Sequence, residues 1–272
     1  MKFSLIMSTL NRNDEIIILL DSLLSQSYKN FELIMVDQNN DDHVEKIYNQ
    51  YKHKIDLQYF RCEKTGLSFG RNIGLENYTG NVIAFPDDDC EYETDTLAKV
   101  ADFFEKYPGY SFCTCNTKDK NSEFSILPNT LSDSIISINN VMRIGISFTI
   151  FVRSPSLRLF KFDEQMGVGA PFGSGEESDL LFFLLKHKNK GIYHSKNYIY
   201  HPVKTETPEK AFLYGMGCGA VYKKAITHYG FFILFPIFFL RILKGIINVI
   251  IKKDKKNRTA SLCGRISGFI KY

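Results

Sequence analysis

The chain has six cysteines but no CxxC pair among them. Cys62, Cys90, Cys113, Cys115, Cys218 and Cys263 are scattered, which argues against a zinc framework or a disulfide scaffold and fits a reducing compartment. The opening MKFSLIMSTLNR lacks the long apolar core of a secretory signal. It reads instead as the first strand of a fold, so a cytoplasmic location is expected. Internal repeats and low-complexity tracts are also missing. Strong charge of one sign is missing too: the net charge is only +4, too mild to imply a nucleic-acid partner. Much of it sits in KKDKKNR, Lys252 to Arg258, which leaves the remainder close to neutral. With 272 residues, 44% hydrophobic and 24% charged, the chain can bury a sizeable core as one large domain with at most a small extension.

The first hundred residues alternate between strand and helix patterns. Short apolar runs read as strands: FSLIMST (3–9), FELIMVDQNN (31–40), LQYFRC (57–62) and NVIAFPDDD (81–89). Helical spacing occupies 13–27, with Asn13 as its candidate cap and Asp14 and Glu15 suiting its N-terminal end. Further helices are expected over 41–54, 66–78 and 95–108, the last stopped by Pro108. Strand–helix alternation with short links predicts βαβ units and a mainly parallel sheet flanked by helices. Ligands of such sheets bind beyond the carboxyl ends of the strands. The polar clusters fall there: Ser8-Thr9, Asp37 and Asp87 to Asp89.

From 111 to 163 the pattern is less regular, with strands expected at 110–117 and 147–153 and a polar excursion between them. A glycine-rich loop opens into an amphipathic helix within 167–190, and 191–202 reads as a strand ending at His201. The tail differs in kind. Residues 229–251 are long enough to cross a bilayer, yet Arg241, Lys244, Asn248 and Lys252 recur at spacings of three and four. That stripe fits a helix lying on a membrane surface better than one spanning it, because spanning would bury the charges. A buried core helix is the bland alternative.

Asp87, Asp88 and Asp89 repel one another unless something positive sits among them. Hard divalent cations take such oxygen ligands and recruit a diphosphate; a solvated acidic turn or a helix N-cap cluster is the plain alternative. Asp37 suits a nucleotide base or ribose, or a helix cap. Arg71, after Gly66 and Gly70, suits a phosphate, or simply a helix surface. Glu176, Glu177 and Asp179 suit a general base, or match the positive end of their helix. His201 suits a metal shell, or the core.

These elements, in order, resemble glycosyltransferase family 2 with its GT-A, Rossmann-like fold. The resemblance rests on STLNR, VDQNN, GLSFGRNIGL, PDDD and GEESDL, with YHP and YGMGCGAVYKK as closing elements, and covers residues 2–225. It implies a GT-A domain over 1–225, with a nucleotide-binding half (1–110) and an acceptor-binding half (111–225); the stripe read above makes 226–272 a membrane-associating helical tail. It implies an inverting, metal-dependent transfer of a sugar from a nucleotide-diphosphate sugar, UDP-linked first, to a hydroxyl of a glycan or lipid-linked acceptor in bacterial polysaccharide synthesis. Under the resemblance Thr9, Arg12, Asp37, Arg71, Asn72, Asp87 and Asp88 hold the nucleotide sugar, and Asp87, Asp89 and His201 hold Mn2+ or Mg2+. The base lies among Glu177, Glu176 and Asp179, Glu177 standing where the family places Asp. Peripheral attachment to the inner face of the cell membrane through 231–258 is expected. Two other classes stay open: a nucleotidyltransferase acting on a sugar phosphate, which lacks here the glycine-rich basic loop near the N-terminus, and an inactive sugar-nucleotide-binding scaffold.

Overall fold

A computed structural model describes residues 1–120, 132–203, 205–251 and 254–272. Part of the polar excursion expected after residue 117, and Lys252 of the tail stripe, lie outside the described residues. The chain forms two compact units. The first comprises residues 1–65, 69–161 and 188–203; the second comprises 66–68, 162–187 and 204–272.

Among the described residues, the first unit is built on a nine-stranded sheet. Its strands are β1 (Phe3–Thr9), β2 (Phe31–Asp37), β3 (Asp56–Arg61), β4 (Val82–Ala84), β5 (Glu91–Tyr92), β6 (Phe112–Lys118), β7 (Ser134–Ile135), β8 (Ile150–Arg153) and β9 (Gly191–Tyr200). They run in the order β3-β2-β1-β4-β8-β6-β9-β5, with β7 also on β9. The four strands from β3 to β4 are parallel, as the alternation predicts. Every residue of β1 and β2 is buried, the mark of parallel strands covered on both faces. The antiparallel β8 then separates β4 from β6, so the sheet is mixed. Nothing in the local pattern of 147–153 reveals that reversal, because strand direction is set by the chain's return path.

Around this sheet lie α1 (Asp14–Leu24), α2 (His43–Tyr51), α3 (Leu67–Asn77), α4 (Thr96–Lys106) and the short α5 (Val141–Ile144). Phe3, Leu5 and Met7 join Leu19, Leu23, Val44 and Phe104 in one core cluster. On the other pleat of β1, Ser4, Ile6 and Ser8 meet Gly80, Gly74 and Gly70, so at Gly70 and Gly74 the β1 side chains pack directly on the α3 backbone. Two local expectations need correction. Asn13 stands at the start of α1, but its side chain makes no capping bond; Glu15 accepts the Asn13 amide instead, at 3.2 Å. The fourth strand does not run into the acidic triplet but ends at Ala84, since Pro86 has no amide to extend a ladder.

The second unit contains α6 (Glu176–Lys186), α7 (Pro208–Thr227), α8 (Leu234–Ile251) and α9 (Lys255–Lys271). Gly175, at φ +99°, turns the glycine-rich loop into α6. Gly215 and Gly219 of α7 face Gly264 and Gly268 of α9; a Cβ on Gly264 would fall 2.1 Å from the Phe212 carbonyl, and one on Gly268 2.0 Å from that of Met216. This is a reciprocal small-xxx-small contact that lets two helix backbones touch. The polar stripe expected on α8 is split. Lys244 is exposed, whereas Arg241 turns inward over the Tyr222 ring at 5.6 Å, where a cation–π contact satisfies its charge, and Asn248 is half-buried.

Candidate active site

The ends of the parallel strands bring the predicted residues together. Thr9 and Asp37 are register partners at the carboxyl ends of β1 and β2, and both are buried. Asp37 ends its strand inside a small hydrogen-bond array: Asn39 donates to Oδ1 through its amide N–H at 2.9 Å and its side chain at 2.7 Å, and the Tyr59 hydroxyl donates to Oδ2 at 2.7 Å. Burial, then this bond to Asp37, push the Tyr59 phenol above the ordinary range. Tyr59 and Asn39 carry no motif. Only the register of β2 against β3 shows that they hold Asp37 rigid.

Two arginines and a histidine answer the puzzle of the triplet. Arg71, fully buried on α3, places Nη2 2.9 Å from Asp87 Oδ1. Arg12, in the loop after β1, reaches Asp88 Oδ1 at 3.3 Å and Asp89 Oδ2 at 3.0 Å. His201, just past β9, places Nε2 2.9 Å from Asp89 Oδ1. The triplet is thus neither a solvated turn nor a cap. Burial pushes the Asp88 carboxyl up to about 6, against the pull of Arg12.

Pairing between strands distant in sequence makes this assembly. Glu91 and Tyr92 of β5 pair with Tyr200 and Ile199 of β9, so the residue after β9 lands beside the residue before Cys90. The His201 ring stacks on buried Phe148 at 4.6 Å and 5°, so its face is packed while its edge addresses Asp89. Ser147, one residue earlier, donates to Asp87 Oδ1 at 3.3 Å. Neither Ser147 nor Phe148 is signalled in the sequence. Asn72 is buried beside Arg71.

Among the described residues, Asp87, Asp89 and His201 form a group whose ligand atoms lie within 4.8 Å of one another. Two carboxylates and an imidazole are an oxygen–nitrogen set that suits a divalent ion of the Mn2+ or Mg2+ kind. Arg12, Arg71 and His201 already contact the same carboxylates, so an incoming ion would replace some of those contacts rather than relieve bare repulsion.

In the second unit, Glu176, Glu177 and Asp179 occupy the first turn of α6. Glu176 and Asp179 are buried, whereas Glu177 is half-buried and accepts from Ser178 Oγ at 3.4 Å. Asp179 is fully engaged. Lys224 donates to Oδ2 at 2.8 Å and the Tyr229 hydroxyl to Oδ1 at 2.8 Å. Lys224 also reaches Asp163 Oδ2 at 3.1 Å, where Tyr272 donates at 2.7 Å. Burial pushes the Asp179 carboxyl up, and Lys224 pulls against it.

A model described as Glycosyl transferase family 2 matches residues 4–167, more than half of the chain. The chain belongs to glycosyl transferase family 2. Its family-matched segment holds Thr9, Arg12, Asp37, Arg71, Asn72 and the triplet, and ends before α6 and His201. Among curated relatives, an uncharacterized glycosyltransferase of Rickettsia felis is 30% identical over 39% of this chain and 17% of its own length. The poly(ribitol-phosphate) beta-N-acetylglucosaminyltransferase TarS of Staphylococcus aureus is 32% identical over 39% of this chain and 19% of its own. The amylovoran biosynthesis glycosyltransferase AmsB of Erwinia amylovora is 31% identical over 39% and 37%. The chain therefore matches well under half the length of these relatives. Among solved structures, S. aureus TarS 1-349 with UDP has a TM-score of 0.66 at 19% identity, covering 100% of this chain and 72% of that one. The Pyrobaculum calidifontis mannosyltransferase PcManGT, solved with GDP-Man and Mn2+, has a TM-score of 0.71 at 13% identity, covering 98% and 86%. These likenesses establish the GT-A fold implied by the family resemblance.

Proposed function

We propose that this family 2 chain transfers a sugar from a nucleotide-diphosphate sugar to a hydroxyl of a glycan or lipid-linked acceptor in bacterial polysaccharide synthesis. The observation that carries the reading is the convergence of Asp87, Asp89 and His201 with Arg12 and Arg71 beyond the strand ends. That arrangement suits a diphosphate and the ion that travels with it, and the folds of UDP- and GDP-Man-bound neighbours support it. A UDP-sugar is the first donor to try, and the poly(ribitol-phosphate) and amylovoran named for TarS and AmsB support a polymeric acceptor.

The roles divide as follows. Residues 1–110 form the donor half and 111–225 the acceptor half. Asp37, held by Tyr59 and Asn39, addresses the base or ribose beside Thr9. Arg71 and Asn72 line the diphosphate and sugar side, with Arg12 and Asp88 at the rim. Asp87, Asp89 and His201 hold the ion, which when bound supplies charge stabilisation for the departing diphosphate. Glu177 takes the proton from the acceptor hydroxyl, because it is the least buried of the three carboxylates of α6. Asp179 serves as an anchor, since both its oxygens are already engaged. Glu176 is the second choice. A single displacement with one base inverts the anomeric centre.

Incubation of the full chain with labelled nucleotide sugars, with and without Mn2+, tests the reading. Donor turnover that requires the ion and disappears in Asp89→Ala supports it, and Glu177→Gln should keep donor binding while losing transfer. Binding without turnover on any acceptor would favour the scaffold reading. Pyrophosphate release from a nucleoside triphosphate and a sugar phosphate would favour the nucleotidyltransferase.

A further inference from the structure

The outward face of α8 is apolar along its length. Phe239, Leu240, Leu243, Ile247 and Ile250 are between 41% and 68% exposed. Five adjacent large hydrophobic side chains make a patch of a kind that water-facing surfaces avoid. By length and composition alone, the helix could cross a bilayer.

Its inward face settles how it can meet one. Leu234 and Phe238 are buried, Phe238 stacks on Phe269 of α9 at 4.5 Å and 15°, and Arg241 lies over Tyr222 of α7. A Cβ on Gly245 would come 2.9 Å from Leu262 of α9. So α8 is seated on α7 and α9 from its first turn to its twelfth residue. Those partners carry Lys210, Lys223, Lys224, Lys255, Lys256, Arg258 and Arg265, which could not follow α8 into hydrocarbon. Lipid therefore has access to one side of the helix only.

Charge selects the kind of lipid. Residues 226–272 contain nine lysines and arginines against one aspartate, while the whole chain has 34 basic and 30 acidic residues, so the rest is net acidic. Lys244, Lys255 and Lys256, all exposed, flank the apolar face or follow it. A basic margin around an apolar helix face matches an anionic headgroup layer.

We infer that α8 is a monotopic membrane paddle, seated on α7 and α9 and embedding its Phe239–Leu243–Ile247 face in the acyl boundary of an anionic bilayer without spanning it. The inference is independent of the transferase reading, and its test uses no turnover.

The full chain is mixed with vesicles of phosphatidylcholine alone or of equal parts phosphatidylcholine and phosphatidylglycerol, then sedimented. It should pellet with the mixed vesicles and less with the neutral ones. The double variant Phe239→Ser/Ile247→Ser alters only exposed positions, and should lose vesicle affinity by at least about tenfold per side chain removed from lipid. Depth is read from Leu243→Trp. The chain has no tryptophan, so this residue is the sole indole emitter. Leu243 stands near the middle of α8, so a spanning helix would place it at the midplane. Quenching by lipids brominated near the headgroup, with little from lipids brominated deep in the chain, is the expected result. Deep quenching, or retention in the pellet after alkaline carbonate, would overturn the monotopic arrangement. Failure to bind either vesicle would overturn membrane contact. So would a lipid-free dimer that the double variant dissociates, because the face would then belong to a second copy.

Discussion

Gly74→Ala sets two effects of opposite sign against each other. Gly74 lies inside α3, and helix propensity alone predicts that alanine stabilises by about 1 kcal/mol. The packing says otherwise. An added Cβ would fall 2.2 Å from Ile6 Cγ2, 3.0 Å from Cγ1 and 3.1 Å from Cβ. With both branches and the branch point crowded, no rotation of the Ile6 side chain clears the space. Ile6 is fully buried in β1, so α3 must lift from the strand. Overpacking of this sort costs typically ~1–3 kcal/mol, which set against the propensity gain leaves a net destabilisation of up to about 2 kcal/mol. For a chain of this size that is a drop of up to roughly 8 °C in Tm. Gly245→Ala is the control. Its Cβ would meet only Leu262, through Cδ1 at 2.9 Å and Cγ at 3.8 Å, the movable end of a flexible side chain. It should be neutral or mildly stabilising. Urea unfolding followed by circular dichroism gives both values. Equal stabilisation by the two substitutions would refute the claim that α3 touches β1 through its glycines. Because Arg71 lies on the same helix, Gly74→Ala should also weaken any Mn2+-induced rise in Tm.

Three further outcomes follow from pairs already described or close by. Glu32 is buried under hydrogen bonds from Lys2 at 2.8 Å, Ser4 Oγ at 2.5 Å and the Thr79 amide at 2.7 Å. Burial would raise its carboxyl, but these bonds win and hold it at about 2, from an ordinary 4.5. A depressed carboxyl stabilises above its unfolded value, so roughly 3 kcal/mol should be present above pH 4.5 and fade as pH falls towards 2, and Glu32→Gln should flatten that slope in acid titrations of unfolding. Asp87→Asn removes the carboxylate beside buried Arg71 and should destabilise even chelator-treated protein by about 1–3 kcal/mol, read as a lower Tm; an unchanged Tm there would mean that the pair is energetically idle. Lys224→Met leaves Asp163 and Asp179 facing each other without their shared cation and should cost about 3–5 kcal/mol. Adding Asp179→Leu should recover much of that loss, an outcome that differential scanning calorimetry would report and that a base role for Asp179 alone would not predict.

The chain's local patterns were sufficient for the strand–helix alternation, the parallel half of the sheet and the residues at its carboxyl ends. Apolar runs of period two and stripes of period 3.6 are local properties, and a strand's end is marked by the first polar residues after it. The family motifs singled out Asp37, Arg71, Asp87, Asp89 and His201, all of which the fold gathers in one unit. Direction and pairing across the chain were not legible. The reversal of β8, the β5–β9 pairing that carries His201 to Asp89, and the Arg12 bridge depend on contacts 77 to 112 residues apart, which leave no periodic trace. Partners without motifs stayed hidden for the same reason: Tyr59 beneath Asp37, Ser147 on Asp87, Lys224 on Asp179. The side of α8 that meets the protein was hidden as well. Which side chains can carry a charge, an ion or a proton could be read from the residues alone, because that is a matter of residue chemistry. Which of those groups already engage one another emerged with the folded chain, because partnership is a matter of distance.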